Sequence, residues 1–276
     1  MSNSNWSGAV AIVTGGGSGI GSELSLALSK RGAKVIVTDI NAENAATVAA
    51  ACGANAESYF LDVRDAKAFN ELITNVHDKH KRIDFLFNNA GIGVGGETYE
   101  IGHELWDRII DINIKGVLNG VLAVYPIMKN QGSGHIINTA SLAGLGPAPL
   151  LAPYSMTKHA VVGLSTSLRI EAEDFGVRVS VLCPAAIETP ILESMNPTDL
   201  PAVPWTPNIR RFLTKLGGPP YPVEKLAEDA LAAIEKNTPV IVIPGRARFL
   251  WVLGRLFPSL VFSESLKAVK AERSSR

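Results

Sequence analysis

At 276 residues, 46% hydrophobic and 19% charged, the chain has the make-up of a soluble globular protein with room for one large α/β domain or two small ones. Lys plus Arg balance Asp plus Glu at 26 each, so no global basic field exists to gather nucleic acid. Cys52 and Cys183 fit neither a disulfide framework nor a zinc site; no metal is expected, and the thiols read as reduced and structural in a cytoplasmic protein.

From the N-terminus onward, residues 1–16 lack the basic start and long apolar run of a signal peptide. Short apolar runs then alternate with longer helical patterns. Strands are predicted over 9–15, 34–39, 57–63, 83–91, 134–141, 178–184 and 239–245, with helices over 19–31, 66–80, 104–130, 153–175 and 223–236 among others. Most of these strands are apolar on both faces, as in a parallel sheet covered by crossover helices on both sides. The sheet consumes almost the whole chain, so a single domain is expected. Two regions break the rhythm. Residues 188–222 form a proline-rich, irregular insertion of the kind that serves as a lid or binding loop. The other is the tail, 246–276. No stretch reaches the roughly 18 consecutive apolar residues of a membrane-spanning helix; 249–262 comes nearest, and Arg255 and Pro258 interrupt it.

The stretch Thr14-Gly15-Gly16-Gly17-Ser18-Gly19-Ile20-Gly21 follows the first strand and opens a helix that Gly32 stops. Its spacing fails the G-x-G-x-x-G dinucleotide pattern, since position 20 is isoleucine. Glycines in this context still let the backbone approach a phosphate, and the new helix presents free N–H groups. The next strand ends in Asp39, whose carboxylate suits the ribose hydroxyls of NAD and repels a 2′-phosphate; no Lys or Arg stands beside it to offset that.

Tyr154 and Lys158 are four apart in a helical pattern, one turn apart on one face. An ammonium beside a phenol lowers the phenol's pKa from about 10 and makes it a usable general acid/base. Ser141 ends the fifth strand, where its hydroxyl can reach a substrate carbonyl. Asn113 aligns with Trp106, Ile109, Ile110 and Val117, so its amide lies on an apolar stripe and needs partners.

Together these residues resemble the short-chain dehydrogenase/reductase family, in its branch of about 250 residues. The family's T-G-x-x-x-G-x-G loop is matched by Thr14, Gly15, Gly19 and Gly21, and its N-N-A-G strand end by Asn88, Asn89, Ala90 and Gly91. The S and Y-x-x-x-K pattern is matched by Ser141, Tyr154 and Lys158, and the helical asparagine by Asn113. The motifs run in order from residue 14 to about 190. The resemblance implies a Rossmann-type doubly wound sheet of about seven strands that binds NAD. It places cofactor contacts at Gly15, Ser18, Gly19, Ile20, Asp39, Asp62, Val63, Asn89, Ala90, Gly91, Tyr154, Lys158, Pro184, Ile187 and Thr189. It implies that Tyr154 is the general acid/base, that Lys158 tunes it and holds the nicotinamide ribose, that Ser141 orients the substrate oxygen, and that Asn113 holds a relay water. One departure is Ala185, where the family has glycine, so the nicotinamide loop is expected to be altered. The catalytic unit is expected over 1–245, including the lid at 188–222. A homodimer or homotetramer is implied, often with two long helices across the interface.

The lid, with Trp205 and Phe212, and the apolar segment 142–153 would flank the reacting carbon, so a hydrophobic secondary alcohol or ketone is expected: steroid-like, terpenoid or long-chain. A smaller polar alcohol is the alternative, and a non-catalytic dinucleotide-binding regulatory protein is the rival on the same fold. The rival has little need of all four residues Asn113, Ser141, Tyr154 and Lys158. In the tail, Arg246, Arg248 and Arg255 interleave with Phe249, Leu250, Trp251, Leu253, Leu256 and Phe257. That pattern suits a helix at a bilayer interface, against a partner subunit, or closing over the substrate pocket. Residues 267–276 read as a solvated end.

Overall fold

The structure is a computed structural model and describes residues 6–276; positions 1–5, within the segment read for a leader, lie outside the described residues. Seven strands, β1 Val10–Thr14, β2 Lys34–Asp39, β3 Ala56–Phe60, β4 Phe85–Asn88, β5 Gly134–Thr139, β6 Val177–Pro184 and β7 Val240–Ile243, form one parallel sheet in the order β3-β2-β1-β4-β5-β6-β7. The chain winds outward from β1 to one edge, then from β4 to the other. This is the doubly wound, Rossmann-type sheet, and its crevice opens where the direction reverses, between β1 and β4.

Side chains leave each strand alternately, so both sheet faces carry a core. Ala11 and Val13 of β1 pack with Leu24 and Leu28 of α1 (Gly19–Lys30), Ala45 of α2 (Ala42–Cys52) and Leu226 and Leu231 from the helix before β7. Val10 and Ile12 face the other layer, with Phe69 and Ile73 of α3 (Ala66–His80) and Met128 and Leu168 from later helices. Caps fix where helices start: Asp65 accepts from the N–H of Lys67 and Ala68, each at 2.9 Å, and Asn41 accepts from Asn44 N at 3.0 Å.

The predicted helix over 104–130 is interrupted. It forms as α4 (His103–Ile110), a π turn over Asp111–Lys115, and α5 (Gly116–Gln131). The apolar periodicity runs through without a break, so nothing in it announces the wider turn. His103–Gln131 as a whole is 29 residues long and apolar enough by length and composition to cross a bilayer, but Leu105, Ile109, Val121, Val124 and Met128 are buried within the protein. α6 (Ala152–Glu171) follows, and the proline-rich insertion is not wholly irregular: it holds α7, Ile209–Gly217, capped by Asn208. α8 (Val223–Glu235) leads into β7. The tail then forms two helices, α9 (Gly245–Leu256) and α10 (Pro258–Arg273), bent by 115°.

The reading of 267–276 as a solvated end holds only in part. Val269 and Glu272 are buried, and the Glu272 carboxylate takes the Arg211 guanidinium at 2.7 Å and the Asn208 N–H at 2.9 Å. Arg273 meets buried Glu97 at 2.5 and 2.8 Å, and Arg276 meets Glu100 at 2.8 Å. The charges that made this segment look solvated have partners on α7 and after β4, too distant in sequence to be visible there.

Two glycines make contrasting tests of this packing. A Cβ on Gly120 in α5 would overlap Asn88 Oδ1 and stand 2.9 Å from Phe69 Cζ, whereas one on Gly163 in α6 would meet nothing within 4 Å. Gly120→Ala is expected to lose about 1–3 kcal/mol through overpacking. Gly163→Ala should gain about 0.5–1 kcal/mol from helix propensity. Denaturant unfolding of both variants checks the contrast, and equal effects would refute it.

Candidate active site

The turn from β1 into α1 is built for close backbone approach. Gly15 and Gly19 have φ of 61° and 52°, which side chains rarely adopt. A Cβ on Gly15 would lie 2.8 Å from Ala90 Cα, and one on Gly21 would overlap the Gly15 carbonyl oxygen. Thr14 ties the turn to the end of β4: its hydroxyl accepts from Asn89 N at 3.0 Å and Ala90 N at 3.1 Å and donates to Phe87 O at 3.3 Å. The Asn89 amide donates back to the carbonyls of Thr14 and Gly15, at 3.1 and 3.3 Å. Ser18, the N-cap of α1, makes no side-chain cap bond, and no acidic residue stands in the first turn. The first-turn N–H groups are thus left uncapped by side chains, a fit for an anionic phosphate.

At the end of β2, the Asp39 carboxylate accepts from Gly17 N and Asn41 N, both at 2.9 Å. Asp62 pairs with Arg64, Nη2 to Oδ2 at 2.5 Å, and that guanidinium holds its carboxyl below the usual carboxylate range.

The chemical residues gather past β5. Lys158 is 3% exposed, and its ammonium donates to Thr139 O at 2.9 Å. Its Nζ stands 5.5 Å from the centre of the Tyr154 ring. Burial pushes the amine down to about 8. Burial also pushes the Tyr154 hydroxyl up, opposed by its hydrogen bond with Ser141. In the protein alone, burial thus works against the lowering of Tyr154 expected from Lys158. Ser141 caps the short turn after β5, accepting from Ala143 N at 3.1 Å and donating to Pro184 O at 3.4 Å.

Asn113, 1% exposed, sits within the π turn. Its Oδ1 accepts from Ile92 N at 2.9 Å, and its Nδ2 donates to Ile92 O at 3.0 Å and Thr157 Oγ1 at 3.1 Å. Thr157 donates on to Tyr154 O at 2.8 Å. The amide finds its partners by clamping the loop after β4 to the tyrosine's helix.

Every predicted cofactor residue, together with Ser141, lines one cavity of about 1040 Å³, and Asn113 stands behind its wall. Ala185 lines it too, with a backbone outside the positive-φ region, so alanine in place of glycine brings no strain there. A Cβ on Gly19 would come within 3.3 Å of Thr189 Cγ2, which closes the glycine turn against the far side of the cavity. Phe212 of the lid lines the cavity; Trp205 does not, packing instead near Leu150 and Phe212 with the Arg276 guanidinium 5.5 Å from its ring.

Several participants had no sequence signal. Thr139 acts through its backbone carbonyl, Thr157 through a hydroxyl one residue from Lys158, and Asn196 by pairing with both Gly95 N (2.9 Å) and Gly95 O (3.0 Å). Arg108 holds lid residue Asp199 at 3.0 Å. The tail also takes part: Leu250, Leu253, Gly254 and Val261 line the cavity, which agrees with the reading of the tail as closing over the pocket.

Comparison with known proteins agrees with this geometry. The profile of the family described as short chain dehydrogenase matches residues 9–200. The probable oxidoreductase EphD of Mycobacterium tuberculosis is 32% identical over 261 residues; the match takes in 91% of this chain but 43% of that protein, so the chain spans less than half its length. Levodione reductase of Leifsonia aquatica is 35% identical over 191 residues, covering 67% of this chain and 72% of that protein. A crystal structure of a short chain dehydrogenase/reductase from Burkholderia phymatum in complex with NAD superposes with a TM-score of 0.83, at 28% identity over 93% of this chain and 96% of that one.

The buried lysine makes a pH prediction. Its folded pKa, about 8, lies below the ordinary 10.5, so the fold bears the cost of a desolvated ammonium at pH values below about 8 and sheds that cost as pH rises toward 10.5. Lys158→Met carries no such cost. The stability of the wild type relative to Lys158→Met should therefore rise by about 2 kcal/mol between about pH 7.5 and about pH 9.5. Paired urea titrations read this difference, and a flat difference would contradict it.

Proposed function

The chain belongs to the short chain dehydrogenase family, a family of oxidoreductases, and from that premise we propose that it interconverts a hydrophobic secondary alcohol and its ketone with NAD(H). The observation that carries the reading is the convergence of Ser141, Tyr154 and Lys158 on the cavity that also holds the glycine turn and Asp39. The same site residues are the proposed catalytic and cofactor set, borne by a unit running through Gly245 with its lid at 188–222.

The residues fit a nicotinamide dinucleotide along the strand ends. The N-terminus of α1, with Gly15, Ser18, Gly19 and Ile20, would take the pyrophosphate, Asp39 the adenosine ribose, and Asp62 and Val63 the adenine. Pro184, Ile187 and Thr189 would hold the nicotinamide, beside Asn89, Ala90 and Gly91. When bound, the nicotinamide supplies the two-electron acceptor or donor. Tyr154 then moves the proton: its oxygen takes it from the alcohol in oxidation and returns it to the substrate oxygen in reduction. Because burial raises this hydroxyl, it needs a cation nearby, and below about pH 8 Lys158 is one. One of its N–H groups is taken by Thr139 O, leaving two for the ribose and the tyrosine. Ser141 orients the substrate oxygen. Asn113 has both amide hydrogens engaged, so it acts by holding the wall in place and keeping a water path to Lys158 open.

The apolar substrate is supported by Leu151, Leu192, Met195 and Leu213, which pack about Tyr154, and by Leu145 and Phe212, which line the same cavity. Exposed Leu118 and Leu122 on α5 and Ile170 on α6 support a homo-oligomer built across these long helices.

Tyr154→Phe is expected to lower kcat by at least about 100-fold while NADH binding, read by fluorescence titration, stays nearly intact. Wild-type turnover in that variant would refute the assignment, whereas a wild type that bound NADH but oxidised no alcohol in a panel would favour the non-catalytic rival. Asp39→Ala should raise kcat/KM with NADP relative to NAD by about tenfold or more, since it removes the charge that repels a 2′-phosphate. Turnover confined to highly polar alcohols in the same panel would overturn the apolar substrate.

A further inference from the structure

We propose that the α9–α10 hairpin is a docking surface for an anionic lipid bilayer, which it meets with the side turned away from the cavity. Along α9, Ala247 and Trp251 face inward and pack in the cluster of Val242 and Cys183. On the opposite side Phe249 (67% exposed), Val252 and Leu256 (69% exposed) recur at spacings of three and four, forming a single outward stripe. The stripe continues into the corner at Phe257 and reaches α10 at Leu266, both exposed and outside the cavity lining, while Leu260 and Phe262 are exposed at the cavity's rim. Isolated exposed apolar residues are ordinary; Phe249, Val252, Leu256, Phe257 and Leu266 on the side away from the cavity, with Leu250, Leu260 and Phe262 exposed at its rim, mark a surface meant to be covered.

The charge pattern says by what. Residues 245–263 contain Arg246, Arg248 and Arg255 and no carboxylate, in a chain whose net charge is zero. Arg248 and Arg255 lie seven apart, two turns along α9, and neither forms a salt bridge among the described residues, though Arg255 stands 5.9 Å over the Trp251 ring at the rim of the cavity. Apolar side chains bordered by arginines that no carboxylate neutralises are what an acidic headgroup layer over hydrocarbon complements. A second copy of the chain meeting this face about a twofold axis would instead bring arginines toward arginines. The geometry is that of a helix lying on a membrane. α9 has 12 residues, about 18 Å of helix against a hydrocarbon core of roughly 30 Å, and α10 ends in the ion pairs to Glu97 and Arg211 that hold it to the protein. The inner residues Leu253, Gly254 and Val261 wall the cavity, so one element separates bilayer from active-site space.

Flotation of the full chain with vesicles tests this without any turnover, so its outcome is separate from that of the redox reading. With phosphatidylcholine vesicles containing about 30% phosphatidylserine the wild type should float, and less so on phosphatidylcholine alone. Phe249→Asp combined with Leu256→Asp should lower the partition coefficient by at least about tenfold, and Arg248→Ala by about fivefold on the anionic vesicles only. None of these three residues lines the cavity, so turnover and thermal unfolding should be unchanged. Failure of the wild type to float, or flotation indifferent to all the substitutions, would overturn the proposal. So would a fall in oligomer mass on light scattering of the double variant with no vesicle binding by the wild type, which would assign the face to a second copy.

Discussion

The site depends on one tight contact, the meeting of the β1–α1 turn with the end of β4. There is no space for a methyl group on Gly21 beneath the Gly15 carbonyl, and little for one on Gly15 against the Ala90 backbone. Thr14 and Asn89 exchange hydrogen bonds across that contact. Because β1 and β4 are the strands between which the winding reverses, bracing their ends fixes the mouth of the crevice. Everything else is carried outward by the sheet register: β2 delivers Asp39 on one side, while β5 and β6 deliver Ser141 and Pro184 on the other. The failure of the glycine spacing to match G-x-G-x-x-G follows from the same contact, since the tightest approach falls at position 21 rather than at 20.

Behind this mouth the protein stores electrostatic tension. Burial disfavours both the phenolate of Tyr154 and the ammonium of Lys158, and the lysine's one protein partner is a neutral carbonyl. Each ion is costly alone, and each becomes affordable beside a bound charge of the right sign. The neighbouring polar groups are linked to one another: the Asn88 Nδ2 donates to Asn138, whose Nδ2 donates to Ser165, all buried and at 2.9 Å where they join, while Asn88 Oδ1 has no partner. That ladder ties β4, β5 and α6 together behind the strand ends that carry the reactive pair.

The amino-acid pattern revealed the seven strands, the glycine turn and the Tyr154–Lys158 pair because each is a local signal: apolar runs of the right length, glycines at a turn, two residues one helical turn apart. It was silent where the cause is long-range. The π turn around Asn113 is invisible because the apolar stripe of 104–130 continues through it; the extra residue in the turn matters only because Ile92 and Thr157 wait there. Trp205 and Phe212 looked alike as lid aromatics, yet only Phe212 reaches the cavity. The last ten residues looked solvated because Glu272, Arg273 and Arg276 find no partner nearby in sequence, and those they have, Arg211, Glu97 and Glu100, lie more than sixty positions away.

Those distant ion pairs explain how a largely apolar hairpin can remain on the surface of one molecule. Buried Glu97 and Glu272 are each held by an arginine, and losing either partner would strand a carboxylate in a dry setting, so the end of α10 is anchored far more firmly than exposed ion pairs would manage. With its end fixed, the hairpin need not bury its own apolar residues to stay in place. Its inward residues are free to shape the cavity and its outward residues are free to remain unpartnered. The lid helix α7 is joined to the same anchor through Arg211, so cavity wall, lid and exposed apolar face share one set of buried-carboxylate contacts.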